Sequence, residues 1–587
     1  MSKTFYYSDE RNIQILISLL KQSGIKKIIA SPGTTNVSFV GSLQNDPYFE
    51  MYSCVDERSA AYMACGMAAE SGEPVVLSCT GATSSRNYMP ALTEAYYRKL
   101  PILAVTSTQD IRRVGHMIAQ VTDRSVKPND VCVHAEYIPT CTDAIAEWDA
   151  TIRINRAILA LRHHGGGPVH INLATVYSKN FSVKELPVAK VIRRISTGDK
   201  FPEIGKGKRV AIFVGSHTKW SERMTTLVDK FCTKYNAVVF CDHSSNYKSN
   251  FRVCNAIVGT QSNYKSCIYE IDLLIHIGEI SGDYADMGPL KASQQVWRVN
   301  EDGELRDQFQ KLTYVFEMHE EDFFENYVKD VAKIALTNDY LELCKNEYDH
   351  LQGLIPELPF SNLWIAHQTA DRLPKDSVLH LGILNSLRAW NMFEIPKSVI
   401  SYVNTGGFGI DGLISACIGG ALASPEKLHF LVLGDLSFFY DMNAIGNRHI
   451  GNNLRILLVN NGKGTEFKNY NHTAALFGDT ADQYIAAAEH FGNKSHQLVR
   501  HYAEDLGYEY MQATTKEEYL SHIDRFLIPE PTEKSMILEA FTDDKDESEA
   551  LKEINNLIKE SEDIFKKTVK KILPETMVKT LKKQIKR

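Results

Sequence analysis

The stretch that ends at Asn460-Asn461 constrains the fold more than any other. An apolar run leads into the turn Gly434-Asp435-Leu436-Ser437, a helical pattern covers Phe438 to Leu454, and Ile456-Leu457-Leu458-Val459 reads as a buried strand closing on the Asn pair. Strand, turn, helix and strand in that order bring both turns to the carboxyl edge of a parallel sheet, where α/β folds bind their ligands. Asp435 follows a tight Gly turn and Asn461 stands 26 residues later. A carboxylate and an amide are hard oxygen ligands, of the kind that hold Mg²⁺ together with phosphate oxygens and water. Asp435 and Asn461 therefore read as ligands of a Mg²⁺ that carries a diphosphate.

A chain of 587 residues is too long for one core, and at roughly 100–200 residues per domain three domains are expected. Residues 1–185 alternate strands and helices. Lys27–Ala30, Val75–Cys79 and Pro101–Thr106 read as strands, and Arg58–Ser71 as a helix rich in small residues, a pattern that implies a parallel sheet with crossover helices. A polar, basic linker through Lys200 leads to a second α/β unit, 201–345. Its turn Gly215-Ser216-His217 lacks the G-x-G-x-x-G of a nucleotide loop, and a structural role is expected. The third unit, 355–545, carries the Gly-Asp turn. The tail 546–587 has helical spacing, and 566–587 holds nine Lys/Arg against one Glu. It reads as a solvated helix, or as a contact for an acidic partner or an anionic membrane surface. The fold class expected is α/β, three doubly wound parallel sheets plus the tail.

A net charge of −7 gives no reason to expect nucleic acid. No stretch reaches the roughly 18 apolar residues of a membrane span, and the N-terminal segment lacks the apolar core of a signal peptide. Eleven scattered Cys without C-x-x-C fit reduced thiols better than disulfides or zinc, so a cytoplasmic protein is expected.

The string GDLSFFYDMNAI and its flanking strands resemble the motif of the thiamine diphosphate (ThDP)-dependent 2-oxo-acid decarboxylase and carboligase superfamily. The wording is similar to that of the menaquinone-pathway succinyl-enolpyruvyl-hydroxycyclohexene-carboxylate synthases, which decarboxylate 2-oxoglutarate and add the product to isochorismate. The resemblance runs from about residue 10 to 540. It implies ThDP and Mg²⁺ as cofactors, with Asp435, Asn461 and the Lys463 carbonyl on the metal. It implies that Glu57, in the string YSCVDERSAA, activates the cofactor and that Gln120 faces the reacting centre. Thr80, Gly81 and Asn87 would line the cofactor, with Ser386, Gly407, Phe408, Gly434, Leu436 and Ser437 completing its contacts and Ile410 propping its bent form. An acidic pair such as Asp56-Glu57 is also what a helix dipole favours at its start. In this superfamily the Glu and the metal ligands come from two subunits, so a homodimer or tetramer is implied.

The chain departs from the synthases at four places where arginines hold polyanionic substrates. Thr34-Thr35 replaces Ser-Arg, and Gln109, Trp390 and Thr405 stand for three further arginines. Bidentate Arg–carboxylate contacts are the usual device for such substrates. Arg388, Lys463, Lys468 and Arg113 are other sources of charge. The expectation is a transferase or lyase that decarboxylates a 2-oxo acid and passes the product to an acceptor, with a substrate different from isochorismate. The alternatives are a simple 2-oxo-acid decarboxylase, or an acetolactate-synthase-like enzyme using pyruvate with a non-redox FAD in the middle domain, for which no residue speaks. A catalytically silent scaffold is the reading from another class.

Overall fold

The computed structural model describes residues 6–217, 220–329, 338–490 and 494–558. Residues 559–587, which carry most of the expected basic tail, lie outside the described residues. The chain divides into two units, residues 1–201 with 302–317, and residues 202–301 with 318–587.

In the first unit, β1 (Lys27–Ala30), β2 (Glu50–Ser53), β3 (Val75–Thr80), β4 (Ile102–Thr108), β5 (His134–Ile138) and β6 (Val169–Ala174) form a parallel sheet in the order β2-β1-β3-β4-β6-β5. Every residue of β3 and β4 is buried, as expected where helices cover both faces. The helix Glu57–Ser71 starts where the Asp56 carboxylate accepts the Ser59 N–H at 2.8 Å, a normal N-cap. Ala60, Ala61, Ala64 and Ala68 form its buried face, and it ends at Gly72 with φ 67°, a left-handed cap that glycine adopts without strain.

The next strands in the chain are β7 (Arg193–Ser196), β8 (Val210–Val214), β9 (Val238–Cys241), β10 (Arg252–Val253), β11 (Leu273–Ile277), β12 (Gln295–Asn300) and β13 (Leu312–Glu317). β7 lies inside the stretch expected to be a polar linker and pairs in parallel with β13. In the second unit, β8 to β12 run in the order β10-β9-β8-β11-β12. The glycine after β8 answers to packing, because a Cβ on Gly215 would lie 1.8 Å from the Glu279 carbonyl oxygen.

The third sheet contains β14 (Val378–Leu381), β15 (Ile400–Val403), β16 (His429–Gly434), β17 (Leu454–Asn460), β18 (Glu509–Ala513) and β19 (Met536–Phe541), in the order β15-β14-β16-β17-β19-β18. This repeats, strand for strand, the order of the first sheet. The single helix expected over Phe438–Leu454 is shorter. An α-helix covers Asp435–Asp441 and a 3₁₀ turn Met442–Gly446. The Tyr508 hydroxyl donates to the Ile445 carbonyl at 2.9 Å, and the Asn447 side chain accepts the His449 N–H at 2.9 Å. Both bonds take backbone groups that a continuing helix would use. Among the described residues no helix is long and apolar enough to cross a membrane.

Candidate functional site

Register sets the metal end of the site. Gly434 pairs with Val459 and Asn460 with Phe541, so Asp435 and the loop after Asn460 emerge side by side at the carboxyl edge. Asp435 is 4% exposed. Burial pushes its carboxyl up to about 7 against the backbone N–H groups of Asp435, Leu436 and Gly462, and the Glu539 charge adds to the rise. Among the described residues no Lys, Arg or His forms a salt bridge with it. A buried carboxylate without a cationic partner is costly unless a positive ion meets it.

The Asn pair divides its work. Asn460 Nδ2 donates to Glu539 Oε1 at 2.7 Å, and its own Oδ1 accepts the Gly462 N–H at 3.2 Å. Asn461 Nδ2 donates to Thr465 Oγ1 at 3.2 Å, and its side chain also bonds Glu547. Both of those partners take the amide nitrogen, which leaves Asn461 Oδ1 as an available oxygen. The Lys463 carbonyl accepts the Thr465 N–H at 3.0 Å, and a carbonyl has a second lone pair. A buried carboxylate, an amide oxygen and a carbonyl on adjacent strand ends fit Mg²⁺.

Around this edge, Gly434 and Leu436 are half-buried and Ser437 is buried. Ser386 is buried in the helix Asn385–Trp390, which follows Leu384 at φ 65°. Gly407 is exposed, while Phe408 and Ile410 are half-buried in the turn before the helix Leu413–Ala423. Phe408 has φ 54°, a conformation uncommon for a non-glycine residue.

The other candidates lie in the first unit. Glu57 opens its helix, and Asn87 Nδ2 donates to Glu57 Oε2 at 3.3 Å. Thr80, at the end of β3, donates its hydroxyl to Ser84 Oγ at 3.0 Å. Gln120 is exposed at φ 65°, and among the described residues no hydrogen bond joins it to the other candidates.

Gly81 packs under a residue that sequence reasoning missed. A Cβ there would meet Thr108 Cβ at 2.8 Å and Arg124 Nη2 at 2.9 Å. Arg124 is buried, its Nη1 donates to Thr106 Oγ1 at 2.5 Å, and its Nη2 has no hydrogen-bond partner among the described residues. Burial pushes this guanidinium down to about 10. A lone Arg in a polar loop gives no sequence signal of burial. Gly81→Ala is expected to cost about 1–3 kcal/mol through overpacking, read as a lower melting temperature of the ligand-free protein; an unchanged value would remove the steric reading.

Residues 12–126 match the family model described as thiamine pyrophosphate enzyme, N-terminal TPP binding domain. A 2-succinyl-5-enolpyruvyl-6-hydroxy-3-cyclohexene-1-carboxylate synthase of Bacteroides fragilis is 30% identical over 583 residues, covering 94% of this chain and all of the relative. The synthase of the same name from Phocaeicola vulgatus is 30% identical, covering 93% of this chain and 98% of the relative. That of Flavobacterium psychrophilum is 27% identical, covering 91% and 96%.

These relatives overturn the expectation of a substrate different from isochorismate. That expectation counted arginines at fixed positions, whereas a guanidinium can reach a position from elsewhere in the chain. Thr35 and Trp390 are buried in the protein, Thr35 donating to the Ser107 carbonyl at 2.5 Å. At Gln109 a guanidinium is present without being encoded there, since Arg113 Nη1 donates to Gln109 Oε1 at 2.6 Å. Arg124 adds a buried cation beside Gly81. The other cations considered are already paired: Arg388 with Glu466 at 2.5 Å, and Lys463 and Lys468 each with Asp482 at 2.8 Å. The chain belongs to the family of thiamine diphosphate-dependent 2-succinyl-5-enolpyruvyl-6-hydroxy-3-cyclohexene-1-carboxylate synthases.

Proposed function

We propose that this protein is a ThDP- and Mg²⁺-dependent synthase of 2-succinyl-5-enolpyruvyl-6-hydroxy-3-cyclohexene-1-carboxylate. The observation that carries this reading is the 30% identity to a synthase of that name across its whole length. The product name contains its own disconnection. A succinyl carbonyl on a ring carbon is what a five-carbon 2-oxo diacid leaves after losing carbon dioxide. The ring with its enolpyruvyl ether, hydroxyl and carboxylate is isochorismate less one of its two ring double bonds, which is lost as the succinyl carbon and a proton add across it. The reaction is then decarboxylation of 2-oxoglutarate followed by carbon–carbon bond formation.

Bound ThDP supplies the electron sink for both stages. Asp435, the Asn461 amide oxygen and the Lys463 carbonyl hold Mg²⁺, which anchors the diphosphate. Glu57, with Oε2 taken by Asn87, has Oε1 left to accept or give a proton, and would serve in that role beside bound ThDP. Arg113 places a guanidinium at Gln109, and Arg124 a buried one beside Gly81. Membership of the family supports a homodimer or tetramer, working in the cytoplasm, in which each site takes one half from each of two chains.

The test is incubation of the purified protein with ThDP, Mg²⁺, 2-oxoglutarate and isochorismate. One carbon dioxide released per isochorismate consumed, with the product identified by mass, is the expected result. Carbon dioxide release with isochorismate untouched would sink the proposal.

A further inference from the structure

At the other end of the third sheet, away from Asp435, three metal-ligating side chains converge. His429 opens β16, the strand that Gly434 closes, and a strand of that length spans about 17 Å. His380 lies on the neighbouring strand β14, where it pairs with Leu431. Cys417 projects from the middle of the helix Leu413–Ala423. All three are buried, Cys417 and His429 at 0% and 1% exposure. One ligand atom from each lies within 4.8 Å of the others. None of the three has a part in the ThDP chemistry.

We propose that His380, Cys417 and His429 form a structural site for a thiophilic d¹⁰ cation, zinc or copper(I). The two rings already stand at coordination spacing. His380 Nε2 lies 3.2 Å from His429 Nδ1. Two nitrogens bound to one zinc at about 2.0–2.1 Å in a tetrahedron are about 3.3 Å apart. Ser424 Oγ lies 3.0 Å from His429 Nε2 and 3.2 Å from the Gly420 carbonyl. With the hydroxyl donating to that carbonyl, Nε2 donates to Ser424 Oγ and Nδ1 turns a lone pair inward. This is the outer-shell bond that orients a ligating histidine.

Gly420 brings the helix close enough to share the pocket. A Cβ there would lie 3.1 Å from His380 Nε2 and 3.2 Å from His429 Cε1. A thiol and two imidazoles make a soft-to-borderline set, which selects zinc or copper(I) over Mg²⁺. Three ligands suffice for copper(I), whereas zinc would add a water. Ligation releases one proton, from the Cys417 thiol, while the proton on His380 Nε2 gives way to its Nδ1 tautomer. The site would clamp β14, β16 and the helix that follows the glycine-rich turn.

The test uses the full chain without an affinity tag, produced in medium with added zinc and copper. It is purified with ThDP and Mg²⁺ in excess, so that the Asp435 site is occupied. Elemental analysis should find about one equivalent of zinc or of copper per chain, and the element found decides between the two cations. Cys417→Ser should lose that equivalent, while Cys344→Ser, which alters a buried thiol outside the cluster, should keep it. Should Cys417→Ser fail to fold, reconstitution of the metal-depleted parent with Co²⁺ serves instead, and a thiolate-to-cobalt charge-transfer band is expected. A metal content near zero without such a band, or a content that Cys417→Ser leaves unchanged, would show that His380 merely donates a hydrogen bond to His429 and would overturn the proposal.

Discussion

Glu57→Gln is expected to lower turnover at least about a hundredfold while ThDP still raises the melting temperature. Proton transfer by a positioned side chain contributes about 10²–10⁴-fold to rate, and the amide of Gln cannot give and retake a proton. Its shape is nearly that of Glu, and an amide oxygen can still accept from Asn87 Nδ2, so the loop around the helix start should hold. The helix itself keeps its cap, because that function rests on Asp56 and the Ser59 N–H. Steady-state kinetics separate the two roles. A loss in kcat at constant cofactor affinity is the mark of proton transfer. A variant with the parent's turnover would return Glu57 to the standing of an ordinary helix-start acid.

Asp435→Asn is expected to weaken Mg²⁺-dependent ThDP binding by at least about a hundredfold, since even outer partners of a metal cost about 10–100-fold. At a ligand concentration of 100 Kd the parent gains about 2.7 kcal/mol of stability, and a variant binding a hundredfold more weakly gains about 0.4 kcal/mol. The ligand-free proteins give the discriminating measurement. Asp435 is buried, with no cation paired to it among the described residues, so a neutral amide of the same size should leave the apo-protein as stable as the parent or more so. A residue whose purpose was structural would do the opposite, and a drop in apo stability on this substitution would speak against a metal ligand.

Much of the third sheet was legible because its strands are continuous apolar runs closed by turn residues. The run Ile456–Val459 has no other reading once Asn460-Asn461 ends it. The helix after Asp435 was overextended because periodicity reports apolar spacing and is blind to a distant hydroxyl. Tyr508, 63 residues beyond Ile445, takes a carbonyl at the end of the 3₁₀ turn that follows the helix. Strand β7 was hidden for a similar reason. Its residues Arg193–Ser196 are mostly polar, and only the pairing with β13 makes them a strand.

At the site, motif wording named Asp435 and Asn461, but the orientation of the Asn461 amide depends on Thr465 and Glu547, which no local pattern connects. Charge was the least legible property. A guanidinium reaches several ångströms from its own backbone, so Arg113 can stand at Gln109 while that motif position looks vacant.

The matching strand orders of the first and third sheets have a chemical consequence. Gly81 follows β3 as Asp435 follows β16, and these are the third strands of their respective sheets, so the two residues occupy one address written twice. A cofactor with a neutral ring at one end and a diphosphate at the other asks opposite things of such an address. With a glycine there, the turn closes on Thr108 and Arg124 and only its backbone is left to line a flat ring. With an aspartate there, the same turn becomes an anchor for a cation. In the proposed site a single residue type at a repeated position separates recognition of an organic ring from recognition of a phosphate, with no change in the scaffold that presents either.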